Sequence, residues 1–408
     1  MKSAISIVLA GGQGERLRPL TNDRAKPAVP FGGHYRIIDF VLSNITNSGL
    51  FRIHVLTQFK SDSLLRHLKK GWYLPPLLDQ FIDAVPAQMR MGNHWYKGNA
   101  DAVFQNFHHI RNANADTVCI FGGDHIYRMN VRHLLEFHKN TGADATVAVI
   151  PFESQQASDF GVIRTDDNWR VVDFKEKPSD PAPMPGDSSK SLCSMGIYVF
   201  NANVLEECVI DDAKNTSSTH DFGRDIIPAI YDTKKIMAYN FMENPVPGQT
   251  EYERGYWRDI GTIDAYWKAS MDLVSVSPVF NLYNTSWPIK TAHDPNPPAK
   301  FVFADEKSKR VGKATDSLVC DGVIVSGARI NRSILSPCVR ANSFADIEES
   351  IVFECVNIGR HAKIRKAIID KDAVILPETT IGYDLEEDKK RFYVSPEGIV
   401  VVPKGTKV

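Results

Sequence analysis

The six cysteines of this 408-residue chain (Cys119, Cys193, Cys208, Cys320, Cys338 and Cys355) include no CxxC pair, so neither a zinc knuckle nor a thioredoxin-type redox motif is written locally. Reduced, mostly buried thiols are the expectation. Net charge is equally scarce: 48 basic residues against 49 acidic ones leave a formal −1, no global field to gather nucleic acid or an anionic membrane. Any anion binding must come from local clusters. The opening segment, Met1 to Ala10, has one lysine and an apolar run of roughly seven residues, enough for a buried strand and too short to cross a bilayer. A cytoplasmic protein is expected. The twelve histidines, the adjacent pair His108 and His109 among them, offer no spaced metal set and read as surface or packing residues. What is present, 43% hydrophobic and 24% charged residues, describes a globular chain with room for two or three domains.

From the start to about Val276, short β-rich apolar runs alternate with helical patterns, the signature of crossover units on a largely parallel sheet. An α/β, Rossmann-like catalytic domain over 1–276 is expected, with its clearest strands at Ser3 to Leu9, Arg52 to Leu56, Thr117 to Phe121 and Ala145 to Ile150. Tyr35 to Ser48 carries a 3.6-residue apolar stripe (Ile37, Ile38, Val41, Leu42, Ile45) with Gly49 in the place of a helix-ending glycine, and Asp101 to Asn112 reads as another helix. Five prolines between Ser277 and Pro298 exclude a regular helix or central strand, so a linker is placed at 277–316. Beyond it, Ile358 and Ile364 are six apart, as are Ile369, Ile375 and Ile381, with glycines at Gly322, Gly327, Gly359 and Gly382. Hexapeptide spacing of this kind winds a triangular, left-handed parallel β-helix, expected over 317–408, in which coils bury a core only by stacking. Cys320, Cys338 and Cys355 recur at about one coil and are expected as small inward residues; a metal site is the rival, but no histidine or CxxC neighbours them.

The first strand runs into Leu9-Ala10-Gly11-Gly12-Gln13-Gly14-Glu15-Arg16, a glycine-rich turn that lets backbone N–H groups face an anion while Arg16 adds a bidentate fork. It is neither a Walker loop, which needs GxxxxGK[ST], nor a dinucleotide fingerprint, which needs a third glycine at the right step. Lys26, on the proline-stiffened segment Arg24-Ala25-Lys26-Pro27, supplies a second cation close by. Together they point to a triphosphate.

These residues resemble a family: GGxGxRLxPLT, then RAKPAVPFGG and Arg36-Ile37-Ile38-Asp39-Phe40, is similar to the opening of ADP-glucose pyrophosphorylases (bacterial glucose-1-phosphate adenylyltransferases). The likeness continues through Trp95-Tyr96-Lys97-Gly98, Gly123-Asp124-His125, Glu176-Lys177-Pro178, Ser194-Met195-Gly196 and Trp257-Arg258-Asp259-Ile260-Gly261-Thr262. The resemblance implies union of ATP with glucose 1-phosphate into ADP-glucose and diphosphate under Mg²⁺, feeding glycogen synthesis. Asp124 follows an apolar strand, where ligands of open parallel sheets bind, and Asp259 sits in a second aromatic-flanked turn. Two carboxylates with phosphate oxygens and water suit Mg²⁺, and the family's metal pair falls on them. The resemblance further implies glucose 1-phosphate contacts at Tyr96, Gly161, Glu176, Lys177 and Ser194, and nucleotide contacts at Gly11, Gly12, Gly14, Arg16, Lys26 and Gln88. No nucleophile is needed if the sugar phosphate attacks directly; Arg16, Lys26, Asp124 and Asp259 then carry catalysis by positioning and charge. His125 either lines that pocket or packs.

Two residues depart from the family pattern. Asn99 stands where WYxGTADA has Thr or Ser, and Asp23 where enterobacterial relatives carry a lysine that binds a sugar bisphosphate activator. Arg24, His34, Arg36 and Arg52 remain as candidate contacts for a sugar-phosphate or nucleotide effector. The appended β-helix leads us to expect a homotetramer. Other readings are a nucleotidyltransferase using UTP, dTTP or GTP, a non-catalytic regulatory subunit, or an acyltransferase, for which His361 alone stands as a histidine near a coil edge.

Overall fold

A computed structural model describes residues 4–305 and 307–408. Its first part is built on a nine-stranded sheet whose centre is parallel: Ala4–Ala10 lies between Thr117–Gly122 and Arg52–Thr57, and Phe81–Pro86 forms the edge. Lys190–Asn201 joins antiparallel to Thr117–Gly122, and beyond it come Gly161–Thr165 and Val171–Glu176, with Ala145–Glu153 and Ile236–Asn240 completing the sheet. All four strands read from the sequence are present; Ser3, the first residue of one of them, lies outside the described residues. Alternate residues of the first strand feed opposite faces. Ala4 and Val8 join one hydrophobic cluster and Ile5 and Ile7 the other, the period-two signature of a strand covered on both sides.

The helix after the Lys26 segment runs Ile37–Asn47, with Gly49 just past its end at φ 77°, the left-handed conformation that glycine adopts freely. The stretch expected as a helix from Asp101 to Asn112 is two helices, Asn99–Gln105 and Phe107–Asn112, broken at Asn106. Its Nδ2 donates to the Tyr96 hydroxyl and to the Ala102 carbonyl, both at 2.8 Å, so the break holds an aromatic side chain. No helix or strand lies between Asp272 and Lys300. The proline-rich segment is nevertheless fastened: Lys290 donates its amide to Ser43 Oγ at 2.8 Å and Thr291 its hydroxyl to buried Asp39 at 2.6 Å.

The second part is a parallel β-helix of three sheets. Its first strand, Lys300–Val302, already pairs with Ile324–Ser326 inside the 277–316 stretch read as linker. Ile330, Ile347, Ile364 and Ile381 form one inward column, and Leu335, Val352 and Ile369 another, each step 17 residues. The expectation of small inward cysteines is overturned for all three: Cys320 faces out of the coil toward Gly33 of the first part. Cys338 and Cys355 are exposed at coil corners, φ 62° and 61°, in a column with Gly322 and Asp372 at 72° and 61°; the inward sites hold branched aliphatics instead. His361 occupies a comparable corner at φ 61° and stacks on Phe344 at 4.8 Å, an arrangement that serves the turn.

One face of the β-helix docks on the first part. Ile334, Ile351, Phe353, Ile368 and Val401 share a cluster with Phe31, Phe40, Tyr266 and Phe280. Each such fully buried side chain contributes about 1.5–3 kcal/mol.

Candidate active site

The centre of the site is an ion cluster at the C-terminal edge of the parallel strands, where strand ends leave backbone groups and loops free for a ligand. Gly123, just past Thr117–Gly122, donates its amide to Leu9 O at 3.0 Å, which sets Asp124 directly beside the end of the first strand. Asp259 arrives from much later in the chain because Trp257–Asp259 pairs antiparallel with His125–Tyr127, matching Asp259 to His125. Lys26 Nζ bridges the two carboxylates, 3.0 Å from Asp124 Oδ2 and 2.9 Å from Asp259 Oδ1. Arg16 approaches Asp259 from solvent at 3.8 Å. Burial works against charge on Lys26, but Asp124 and Asp259 more than offset it and hold its pKa above the ordinary lysine value. Burial likewise opposes charge on Asp124, while Lys26 and His125 pull its carboxyl well below the usual range.

The glycine turn shapes the approach. Gly14 has φ 62°, and a Cβ there would lie 3.0 Å from Lys26 Cβ and 3.2 Å from Thr21 Cγ2, so both backbone and space call for glycine. Its carbonyl accepts from Thr21 Oγ1 at 2.9 Å and from the Leu17 amide at 3.0 Å, turning Glu15–Leu17 into a helical turn that presents Arg16. Gly11 and Gly12 precede it on the same edge. Gln88 follows the end of Phe81–Pro86, two strands from the first strand, and lines a cavity with His54, Trp72 and His109.

On the sugar side, Glu176 pairs in register with Gly161, and continuing the Cys193–Val162 register by one residue sets Ser194 beside Gly161. Three of the five expected glucose 1-phosphate residues thus form one row across neighbouring strands. A Cβ on Gly161 would lie 2.7 Å from Phe174 and 2.9 Å from the Glu176 carboxylate. Lys177 follows with φ 48° and donates its amide to Phe160 O at 3.0 Å. Burial and Asp221 raise the Glu176 pKa, partly opposed by Arg224 and Lys177. The buried Trp257 ring, 4.8 Å from His125 and 5.4 Å from Phe160, joins this row to the carboxylate ribbon.

Comparison with known proteins fits this geometry. Residues 5–276 match the family model for nucleotidyl transferase, and residues 297–402 the GlmU-like, C-terminal hexapeptide model. A glucose-1-phosphate adenylyltransferase of Anaeromyxobacter sp. (strain Fw109-5) is 53% identical over the full length of both chains. Enzymes of that name from Vibrio parahaemolyticus and Deinococcus radiodurans are each 49% identical, over 100% and 98% of both chains. The chain belongs to the glucose-1-phosphate adenylyltransferase family.

Relative to this family's pattern, Asn99 is accommodated. Its Nδ2 donates to Asp221 Oδ2 at 2.7 Å and its Oδ1 accepts the Phe222 amide at 2.8 Å, tying the Tyr96 loop to Asp221 and so to the surroundings of Glu176. Sequence reading passed over Asp221 and Arg224; no local motif marks them, and only the fold brings them to Glu176. Arg24, His34 and Arg36 line a cavity of about 570 Å³ between the two parts, together with Asp23, Lys371 and Glu354. Arg24 is itself buried in an ion pair with Asp370 at 2.9 Å. Arg52 lies elsewhere, donating to Ala113 O at 2.7 Å and pairing with Asp79.

Proposed function

We propose that this enzyme transfers the adenylyl group of ATP to glucose 1-phosphate, giving ADP-glucose and diphosphate. The observation that carries the reading is the bridge of Lys26 between Asp124 and Asp259 at the mouth of a glycine turn. A phosphate oxygen of glucose 1-phosphate attacks the α-phosphorus; the bond from that phosphorus to the bridging β-oxygen breaks, and diphosphate leaves with the electron pair. Lys26 and Arg16 face the triphosphate and offset charge that grows on the leaving group. Gly11, Gly12 and Gly14 bring backbone amides to the phosphates, and Gln88 serves the nucleotide side. Lys177 orients the attacking phosphate, while Tyr96, Gly161, Glu176 and Ser194 hold the sugar. No side chain need form a covalent intermediate.

The donor set suits a hard divalent cation, which we take to be Mg²⁺: carboxylate oxygens of Asp124 and Asp259, partly exposed, lie with a His125 nitrogen within 4.8 Å of one another. Such an ion would neutralise phosphate charge during transfer. The test is diphosphate release with glucose 1-phosphate and ATP, UTP, dTTP or GTP in parallel, with and without chelator. Preference for ATP, abolished by chelation and by Asp124→Ala, is expected; silence with all four nucleotides would overturn the assignment.

The same reading includes supply of ADP-glucose to glycogen synthesis in the cytoplasm, a homotetramer, and regulation through the cavity between the two parts. No helix among the described residues is long and apolar enough to cross a membrane. Support for a phosphate-bearing effector comes from Lys371: burial and Arg36 push its pKa down to about 8 even though Glu354 pairs with both, 2.8 Å from Lys371 and 3.1 Å from Arg36. An anion there would relieve the crowded cations. A purified protein that elutes as a monomer at every concentration would sink the tetramer.

A further inference from the structure

The β-helix column Cys320, Ser336, Phe353 and Asp370 occupies one repeated position, each residue donating its amide to a carbonyl of the next coil (Leu335, Val352, Ile369 and Val402). Every member meets the segment that carries Lys26 or the helix Ile263–Asp272 packed on it. A Cβ on Gly33 would lie 2.5 Å from Cys320 Sγ, and Ser336 Oγ donates to Gly33 O at 2.7 Å. Phe353 packs edge-on against Tyr266, whose hydroxyl donates to Pro30 O at 2.6 Å. Asp370 grips Arg24 at two points, Oδ1 at 2.9 Å and Oδ2 at 3.1 Å, with both side chains 3% exposed.

Arg24 stands two residues before Lys26, and its Nη1 also donates to Leu20 O at 3.3 Å, at the end of the glycine turn. Between Arg24 and Lys26 there is only Ala25, whose amide is taken by Lys60 O and whose carbonyl accepts the Ala28 amide. The segment has little slack: Pro27 follows, and Val29 donates back to Lys26 O at 3.0 Å. A displacement of the guanidinium therefore passes to the lysine backbone. Surface ion pairs transmit little because solvent screens them, but this one is dry and bidentate.

We propose that Asp370, a β-helix residue, is a positioning residue for adenylyl transfer: its two-point hold on Arg24 fixes the Lys26 ammonium between Asp124 and Asp259. The inference rests on the reading of Lys26 as part of the reacting centre. Asp370 touches neither substrate nor metal and acts only through Arg24.

The test uses the full-length enzyme. Asp370→Asn leaves Arg24 buried without its charge partner and lowers stability, so the deciding variant is Arg24→Met with Asp370→Leu, which removes both charges and keeps the site filled. Melting temperature, kcat and KM are measured below the melting point of each variant. The expected result is a double variant with a melting temperature near that of the parent and kcat reduced about 10- to 100-fold, the scale of a small misplacement of a reacting group. KM for glucose 1-phosphate should stay within a few-fold of the parent. A double variant with parental kcat, or variants that lose only melting temperature, overturns the proposal. Lys26→Gln run alongside separates the two layers: parental activity there sinks the underlying assignment, whereas a dead Lys26→Gln beside a fully active double variant sinks only the role of Asp370.

Discussion

Replacing Lys26 by glutamine removes the ammonium that bridges Asp124 and Asp259 while preserving most of the side-chain volume. Two charge-assisted hydrogen bonds disappear, at 3.0 and 2.9 Å. Bonds to charged groups contribute about 1.5–3 kcal/mol each, so the pair bounds the lost organisation at about 3–6 kcal/mol. Only the share that strengthens in the transition state reaches kcat, and loss of one preorganised donor typically lowers it about 10²- to 10³-fold. The carboxylates, relieved of their ammonium, are expected to hold a divalent cation at least as tightly, so the Mg²⁺ concentration for half-maximal rate should not rise. Steady-state assays of diphosphate release across a Mg²⁺ titration read both quantities. A Lys26→Gln enzyme with kcat within threefold of the parent, or with a defect cured by more Mg²⁺, would refute the argument, because Lys26 would then serve only to neutralise the empty carboxylates.

Burial, with His109 and His108 nearby, lowers the His54 pKa from 6.5 to about 4. The unfolded chain therefore binds an extra proton between those values, and stability, full above pH 6.5, should fall by about 3 kcal/mol as pH drops to 4. Denaturant midpoints of parent and His54→Phe across that window check it, a parallel pair of curves being the adverse outcome. Ile351→Ala, at the junction of the two parts, should cost about 2–5 kcal/mol of stability by leaving a cavity in a shared core; calorimetry that finds no change would show that the parts do not stabilise each other. Lys371→Ala should abolish the response to phosphate-bearing effectors, read as the shift in ATP half-saturation on adding sugar phosphates or adenosine monophosphate. An undiminished response would move the effector elsewhere.

Asp124 was legible because an apolar strand ending in glycine announces the edge where it stands. Asp259 was legible only through family resemblance: its proximity to Asp124 depends on a three-residue ribbon whose partner strands are far apart in the chain. The helix break at Asn106 was hidden because apolar residues keep helical spacing on both sides of it. In the β-helix the period gave the coil, but between its successive middle coils every column repeats at 16 or 17 residues, whether it points inward or turns a corner. Spacing alone therefore could not place Cys338 and Cys355 outside, where a left-handed backbone is required. Asp370 was invisible for a related reason: a single acidic residue in a repeat has no meaning until the partner surface is in place.

The ribbon also sets an order of events during synthesis. All nine strands of the catalytic sheet lie within the first 240 residues, yet Asp259 joins Asp124 only when Trp257–Asp259 is laid against His125–Tyr127. A nascent chain with its sheet complete thus still lacks half of its carboxylate pair. It acquires the second carboxylate just before the proline-rich segment is made, so a product truncated before Trp257 lacks the paired site.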